Sequence, residues 1–429
     1  MLICDRKNIN IYFIVFFYYK ISYNLYYFVT LHHQYNIGEM KIYLYLLFAT
    51  TMFVASCRTD DDLGNNKQAP HTEYDQDEDN TTQEINDSYV YKLPVIFHVI
   101  YNNRTNSKQY VSQSRLATIL SRVNELYKGN IYGKSENINV EFQLATNDEK
   151  GNKLTSPGVE YIEWDEDYPI NPYKIMGSKG RAYTKYIWDP NEYINIMVYN
   201  FATDEDTDGI TLGISHMPYV TKNGSALAGL NVVNQTTLSK ENLGYAYCSS
   251  INSLYIDEES TRYDADKGKY SYNYNSSDVI VTLAHELGHY LGLHHTFTQR
   301  NQDQSYEMVD SCGDTDFCGD TPTYNRIAYQ KELKNYLAYS KDHININYLL
   351  RRSNCNGSDF YSENLMDYSI SYSFSFSPEQ KQRIRKVLYY SPLIPGPKLQ
   401  IGTNKRLVTT KASDKQTAKV IDLPIMIVK

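Results

Sequence analysis

Cysteine is scarce in this chain. Six in 429 residues are too few for a fold held together chiefly by disulfides, and no two stand in the CxxC spacing of cysteine zinc sites. A surplus of basic charge is missing too. Lys and Arg number 42 against 50 Asp and Glu, a net charge of −8, which argues against nucleic acid as the main partner because a phosphate binder usually shows a basic surface. No internal repeat of fixed period runs through the chain. Tryptophan occurs only 2 times, whereas the 43 tyrosines spread over the whole length and read as compositional bias rather than as a base-stacking surface. Hydrophobic residues make up 41% and charged residues 21%, which suits a packed core and excludes wholesale disorder.

Near the N-terminus no apolar run reaches, uninterrupted, the roughly 20 residues of a membrane-spanning helix. Ile11 to Val29 is aromatic and carries Lys20; Ile42 to Ser56 is shorter and follows Met40 and Lys41. A basic residue, an apolar run and then Val54-Ala55-Ser56-Cys57 resemble a bacterial lipoprotein signal peptide with its lipobox, in which the cysteine is acylated. On this reading residues 1–39 are an upstream extension, 40–57 the signal peptide and Cys57 the lipidation site. The rival reading makes Ile11 to Val29 a membrane anchor and the second run a buried helix. Residues 58–88 hold ten acidic residues against Arg58 and Lys67, the composition of an extended tether. Asp60-Asp61-Asp62 close behind Cys57 resembles the acidic export signals of some surface lipoproteins. The expectation is an exported protein, lipid-anchored to the outer membrane or cell surface.

Folding signals begin at Tyr89. Lys92 to Ile100 is an apolar run of strand length, Val140 to Leu144 alternates as a strand does, and Tyr193 to Phe201 and Asn231 to Val233 are further strands. Ser112 to Tyr127 has apolar residues at 116, 119, 120, 123 and 126, which is helical spacing. A second helix is expected from about Ser277 to His294, capped by Ser276 or Ser277, with Asp278 favouring its positive end. A third runs from Pro378 to Leu388, with Ser377 as N-cap and Gln380 completing a capping box. Residues 393–429 turn polar and proline-bearing and read as a tail. This order predicts an α+β fold, a twisted mixed sheet backed by helices.

Residues 285–297 read His-Glu-Leu-Gly-His-Tyr-Leu-Gly-Leu-His-His-Thr-Phe. On a helix His285 and His289 are one turn apart and face the same way, so both imidazoles can hold one zinc. Glu286 sits beside the first ligand, where its carboxylate can reach a metal-bound water. Gly292 allows a sharp turn, since glycine tolerates positive φ, and the turn brings His295 back as the third ligand. His294 is the neighbour; only His295 completes the spacing. Three protein ligands leave a position open, which marks a catalytic rather than a structural zinc.

This motif resembles the long zinc-binding motif of the metzincin metallopeptidases. Asn364-Leu365-Met366-Asp367-Tyr368-Ser369 is similar to that family's methionine turn. Together with Gly319-Asp320-Thr321-Pro322 and Ser377-Pro378-Glu379-Gln380 it resembles the pappalysin family in particular, sharply over 279–390 and in architecture alone before that. The resemblance implies a zincin-like catalytic domain: an N-terminal subdomain, 89–295, ending in the zinc helix, and a smaller irregular C-terminal subdomain, 296–392, with the methionine turn. It implies that His285, His289 and His295 hold zinc, that Glu286 is general base and then proton carrier to the leaving amine, that Met366 floors the metal, and that Tyr368 stabilises the oxyanion. Protein or peptide substrates would then lie extended along a sheet edge, with Ser215 to Val220 or Leu230 to Val233 the candidate segments.

Past Cys57 four cysteines remain, and an even number in an exported chain suggests two disulfides. Cys312–Cys355 would tie the loop after the zinc helix to the approach to Met366, and Cys248–Cys318 would follow by elimination. Asp310, Asp314, Asp316 and Asp320 crowd one loop, and some pappalysins bind structural calcium hereabouts, so Asp314, Asp316 and Asp320 are the calcium candidates. Residues 323–354, rich in Tyr and Asn, look like an insertion. The expected function is a zinc-dependent endopeptidase. The alternatives are a zinc amidohydrolase acting on cell-wall or glycan material, which the form of the methionine turn opposes, and a metal-binding lipoprotein without catalysis, which the intact Glu286 opposes.

Overall fold

The strands that build the main sheet are, in chain order, β1 (Tyr91–Tyr101), β2 (Val140–Leu144), β3 (Val159–Glu163), β4 (Ile194–Tyr199), β5 (Gly213–His216), β6 (Ser249–Asn252) and β7 (Ile427–Val428). They belong to a computed structural model that describes residues 88–177, 179–203, 210–221, 227–235, 237–263, 274–302, 305–340, 344–399, 406–407 and 420–428. Residues 1–39, the signal-peptide segment with Cys57, and the tether as far as residue 87 lie outside the described residues. Among those described, no helix is long and apolar enough to cross a membrane.

The apolar run of β1 is buried along most of its length because the strand has neighbours on both edges. One edge pairs in parallel with β4. The other takes β2 along its first half, Tyr91 opposite Val140, and β3 along its second, Phe97 opposite Val159. β6 continues the sheet parallel to β4; β5 then runs antiparallel to β6, and β7 antiparallel to β5. The sheet is therefore mixed, in the order β7-β5-β6-β4-β1-β2, as the α+β expectation requires.

Helix α1 (Gln113–Lys128) buries Leu116, Ile119, Leu120, Val123 and Leu126, with Ser112 accepting the N–H of Arg115 as its cap. Helix α2 (Val279–Tyr290) packs on β5 and β6 and lies against α1, where the Tyr127 hydroxyl donates to the Ala284 carbonyl at 3.0 Å. Its N-cap is Asp278, not Ser276 or Ser277. The Asp278 carboxylate accepts from Ile280 and Val281, and an anion suits the positive end of the helix better than a hydroxyl does. Helix α3 (Arg326–Ser340) occupies the expected insertion, and α4 (Pro378–Tyr390) carries the expected Ser377–Gln380 capping box.

The expectation of a structureless tail over 393–429 is corrected at its end. Residues 420–428 return to the sheet: Leu423, Ile425, Met426, Ile427 and Val428 are buried, and the last two form β7. At Ser215 and His216 this segment occupies part of the expected substrate edge. Ser215 is paired by β6 and by β7, His216 by β7 and through its N–H to the Cys248 carbonyl, while Tyr219–Thr221 pairs with Asn231–Val233 in a small sheet of its own.

Candidate active site

Helix α2 carries His285, Glu286 and His289, and ends at Tyr290, earlier than the expected His294, because the chain turns at Gly292. Gly292 has φ +94°, and a Cβ there would stand 2.7 Å from the Val387 side chain, so only glycine serves. The turn delivers His295. The three Nε2 atoms stand 3.1 Å (His285 to His295), 3.0 Å (His289 to His285) and 3.0 Å (His289 to His295) apart.

Those distances are not hydrogen bonds. Nδ1 of His285 lies 2.8 Å from the Leu365 carbonyl, Nδ1 of His289 lies 2.7 Å from the Leu293 carbonyl, and Nδ1 of His295 lies 2.8 Å from Gln299 Oε1. Each partner only accepts, so each Nδ1 carries its ring's proton and each Nε2 presents a bare lone pair. Protonating the rings is opposed as well. Burial pushes the His285 pKa down to about 4, and burial with the neighbouring imidazoles pushes His289 and His295 well down. Three converging, buried lone pairs repel one another unless a cation sits among them. A tetrahedral zinc at ~2.05 Å from each nitrogen needs them about 3.3 Å apart, close to what is found. Among the described residues this trio is the one group of His, Cys, Asp and Glu side chains with such convergence. His294 points elsewhere, its ring 5.1 Å from that of Phe317.

Glu286 is 3% exposed, and its Oε2 has no hydrogen-bond partner. Burial raises its pKa well above the usual carboxylate range. The methionine turn meets α2 from below. A Cβ on Gly288 would lie 2.4 Å from Met366 Sδ, so the small residue between the two helical histidines is what admits Met366. The same turn supplies the Leu365 carbonyl to His285. Tyr368 follows, its ring 4.4 Å from that of His295 and 6.0 Å from that of His285. Burial, and then the Glu286 charge, raise its phenol pKa. These groups open on a cleft of about 450 Å³ walled by Leu212 and Gly213 on one side and Ser369 and Ser371 on the other.

Gln299 and Gly213 lie outside the zinc-binding motif and the methionine turn, whereas the carbonyls that orient the rings, those of Leu293 and Leu365, lie within them. Gln299 had a readable signal: it stands four residues past His295, as Leu293 stands four past His289.

The fold and the histidine site are those of a metallopeptidase of the metzincin class, and His285, His289 and His295 are placed to hold one metal ion. Residues 230–389, which hold the trio, Glu286 and the methionine turn, match the family model described as pregnancy-associated plasma protein-A. No curated protein matches the chain. Similar solved structures include mature mirolysin of Tannerella forsythia in complex with a cleaved peptide, at 20% identity and TM-score 0.43, covering 69% of this chain and 90% of that one. A promirolysin mutant of that organism covers 70% and 81%, and mirolysin in complex with compound 9 covers 70% and 92%, both again at 20% identity and TM-score 0.43.

Cys312 and Cys355 form the expected disulfide, with Cα atoms 5.6 Å apart. The expected Cys248–Cys318 disulfide is absent: both thiols are free and buried. Cys248 precedes β6, where its thiol donates to the Ala246 carbonyl at 3.2 Å, whereas Cys318 sits in the acidic loop. Each packs as a small apolar residue, and an even count of cysteines does not bring them together.

The acidic loop is tied up internally. Asp314 accepts the N–H of Asp316 and Phe317, Asp316 accepts from Cys318 N–H and the Thr321 hydroxyl, and Asp320 accepts from the Ser377 hydroxyl and Glu379 N–H at the start of α4. Burial holds the Asp316 carboxyl up to about 7, against the pull of its two hydrogen bonds. An unfolded aspartate titrates near ~3.9, so the folded chain holds this proton more tightly, and the stability it contributes is present at low pH and lost as pH rises through 7. The urea midpoint of the native chain should fall from pH 5 to pH 8 by the equivalent of roughly 3 kcal/mol more than that of Asp316→Asn. Equal slopes in the two proteins would show that Asp316 does not hold that proton.

Proposed function

We propose that this metallopeptidase is a zinc-dependent endopeptidase that cleaves extended protein or peptide segments outside the cell, held at the outer membrane or cell surface by a lipid on Cys57. The observation that carries the catalytic part is the set of three buried imidazoles whose Nδ1 atoms are all committed to acceptors, beside a buried carboxylate with an unpartnered oxygen. Zinc held by His285, His289 and His295 supplies Lewis acidity to the scissile carbonyl and to water. Glu286 Oε2 accepts the proton of the attacking water and returns it to the leaving amine. Tyr368, whose buried phenol keeps its proton, donates to the oxyanion. The Leu365 carbonyl holds the ring of His285 in place, and Met366 packs beneath Gly288 between the two helical histidines. The backbone of Gly213, in the wall of the cleft, would pair with an extended substrate. The export and lipid anchor rest on the Val54-Ala55-Ser56-Cys57 sequence.

The test uses the purified, unstripped protein. Metal analysis should find zinc, lost in a His289→Ala variant. Casein and quenched fluorescent peptides should be cleaved, cleavage should stop with a zinc chelator, and added zinc should restore it. Cleavage indifferent to the chelator would sink the reading, and hydrolysis of glycan or cell-wall amides without peptide cleavage would replace it with the amidohydrolase.

A further inference from the structure

Strand β5 links two regions of the molecule. At its start, a Cβ built on Gly213 would stand 2.5 Å from Glu286 Oε1, so this backbone lies against the candidate base. At its end, on the edge turned away from β6, Ser215 faces Val428 and His216 faces Ile427. The ladder continues to Met217, whose N–H donates to the Met426 carbonyl at 2.9 Å. A peptide that pairs antiparallel with this edge and brings one of its bonds to Glu286 has to lay the residues preceding that bond beside His216 and Ser215. Ile427 and Val428 hold those positions, run in that direction, and head for Gly213.

The segment is held in place before it reaches the edge. Ile421 N–H donates to the Asn242 carbonyl at 3.0 Å, the Asn231 side-chain amide donates to the Pro424 carbonyl at 3.2 Å, and Leu423, Ile425 and Met426 are buried. The occupied length of edge is only three residues, Met426 to Val428, which is little enough to open without unfolding the sheet.

We propose that Leu423–Val428 is an intramolecular occupant of the substrate edge of β5, covering the positions of residues N-terminal to the scissile bond and competing with peptide substrates for them. The inference rests on the endopeptidase reading for what the segment competes against. Main-chain pairing sets the mode of binding, so the competitor is an extended peptide. The segment's own apolar side chains make apolar residues on the N-terminal side of the bond the best at displacing it. Because the occupant is tethered, its local concentration is high and a short ladder suffices. The apparent affinity for substrate is lowered by the fraction of molecules whose edge is covered.

Val428→Pro tests this, because proline has no N–H to give to β5. With the full chain and a quenched peptide, KM should fall by about fivefold, the factor one backbone hydrogen bond contributes, at unchanged kcat. A structural lesion would lower kcat or stability instead. The second readout needs no catalysis. A fluorescein-labelled peptide of the sequence Asp422–Val428 should bind Glu286→Gln protein about fivefold more tightly when Val428→Pro is also present. Should proline at 428 prevent folding, a chain lacking residues 427–429 keeps the buried Leu423–Met426 and serves the same purpose. Equal KM and equal labelled-peptide affinity with and without the pairing would overturn the inference while leaving the peptidase intact. Tighter binding in a protein that cleaves nothing would instead keep the occupied edge and remove the peptidase.

Discussion

Glu286→Gln should leave a protein that binds zinc as before and cleaves peptides about a thousandfold more slowly. Glutamine keeps the size and shape of the side chain against Gly213 but has no basic oxygen to take a proton, and general base catalysis contributes on the order of 10²- to 10⁴-fold. The loss should fall on kcat rather than KM, because the proton moves only as the bond is attacked. Zinc content should hold because the trio is oriented by the Leu365 and Leu293 carbonyls and by Gln299, none of which is Glu286. The variant should melt no lower than the native protein, since an amide relieves the cost of a desolvated carboxylate whose Oε2 has no hydrogen-bond partner. Tyr368→Phe should cost less, about ten- to a hundredfold in kcat, as expected for one oxyanion donor among several stabilising groups. The checks are steady-state cleavage of a quenched peptide and metal analysis of the same preparations. A Glu286→Gln protein that retains native kcat would remove Glu286 from the mechanism, and one that loses zinc would make it a ligand.

The site was legible in the sequence because its logic is local. His285, Glu286 and His289 lie on one helical turn, Gly292 forces the return, and His295 follows within three residues, so period and turn chemistry alone assemble the trio. Helices α1 and α4 were legible for the same reason, each having a serine cap and a regular apolar face. What the sequence hid is what only the tertiary fold creates. Strand β7 is two residues long, shorter than any window in which alternation can be counted, and it is a strand only because β5 offers it an edge. Helix α3 has no apolar stripe to read: its residues buried in the protein are Arg326 and Tyr329, held by Asp367 and by aromatic rings rather than by a greasy face. Asp278 follows two serines that have the chemistry of a cap themselves, and it takes the position because its carboxylate accepts from two N–H groups.

Asp367, between Met366 and Tyr368, should carry the largest stability effect in the catalytic half. Asp367→Asn is expected to lower unfolding free energy by about 3–5 kcal/mol, the cost of breaking a buried ion pair from one side. Asp367 accepts from the Tyr324 hydroxyl at 2.5 Å, from the Ser362 hydroxyl and from Tyr368 N–H at 2.7 Å. It lies 3.7 Å from Arg326 and 3.6 Å from Arg352, both nearly inaccessible to solvent. Two buried guanidinium groups thus share one carboxylate, and they spend their other donors on the wall of the cleft. Arg326 binds the Tyr368 and Ser369 carbonyls, and Arg352 binds the Ile370 carbonyl at 2.5 Å and the Leu349 carbonyl at 2.7 Å. Removing the negative charge leaves both cations uncompensated, so Arg352→Met should restore part of the loss in the Asp367→Asn background although it destabilises the native chain. That sign reversal is the mark of a coupled pair, and urea denaturation of the four proteins measures it. Cleavage should fall along with stability, because the backbone that Arg326 and Arg352 hold carries Tyr368. An Asp367→Asn protein with an unchanged urea midpoint would show that the two arginines are neutralised elsewhere. The aspartate of the Met-Asp-Tyr turn is therefore the residue that fixes its two neighbours, the methionine under the histidines and the tyrosine beside them.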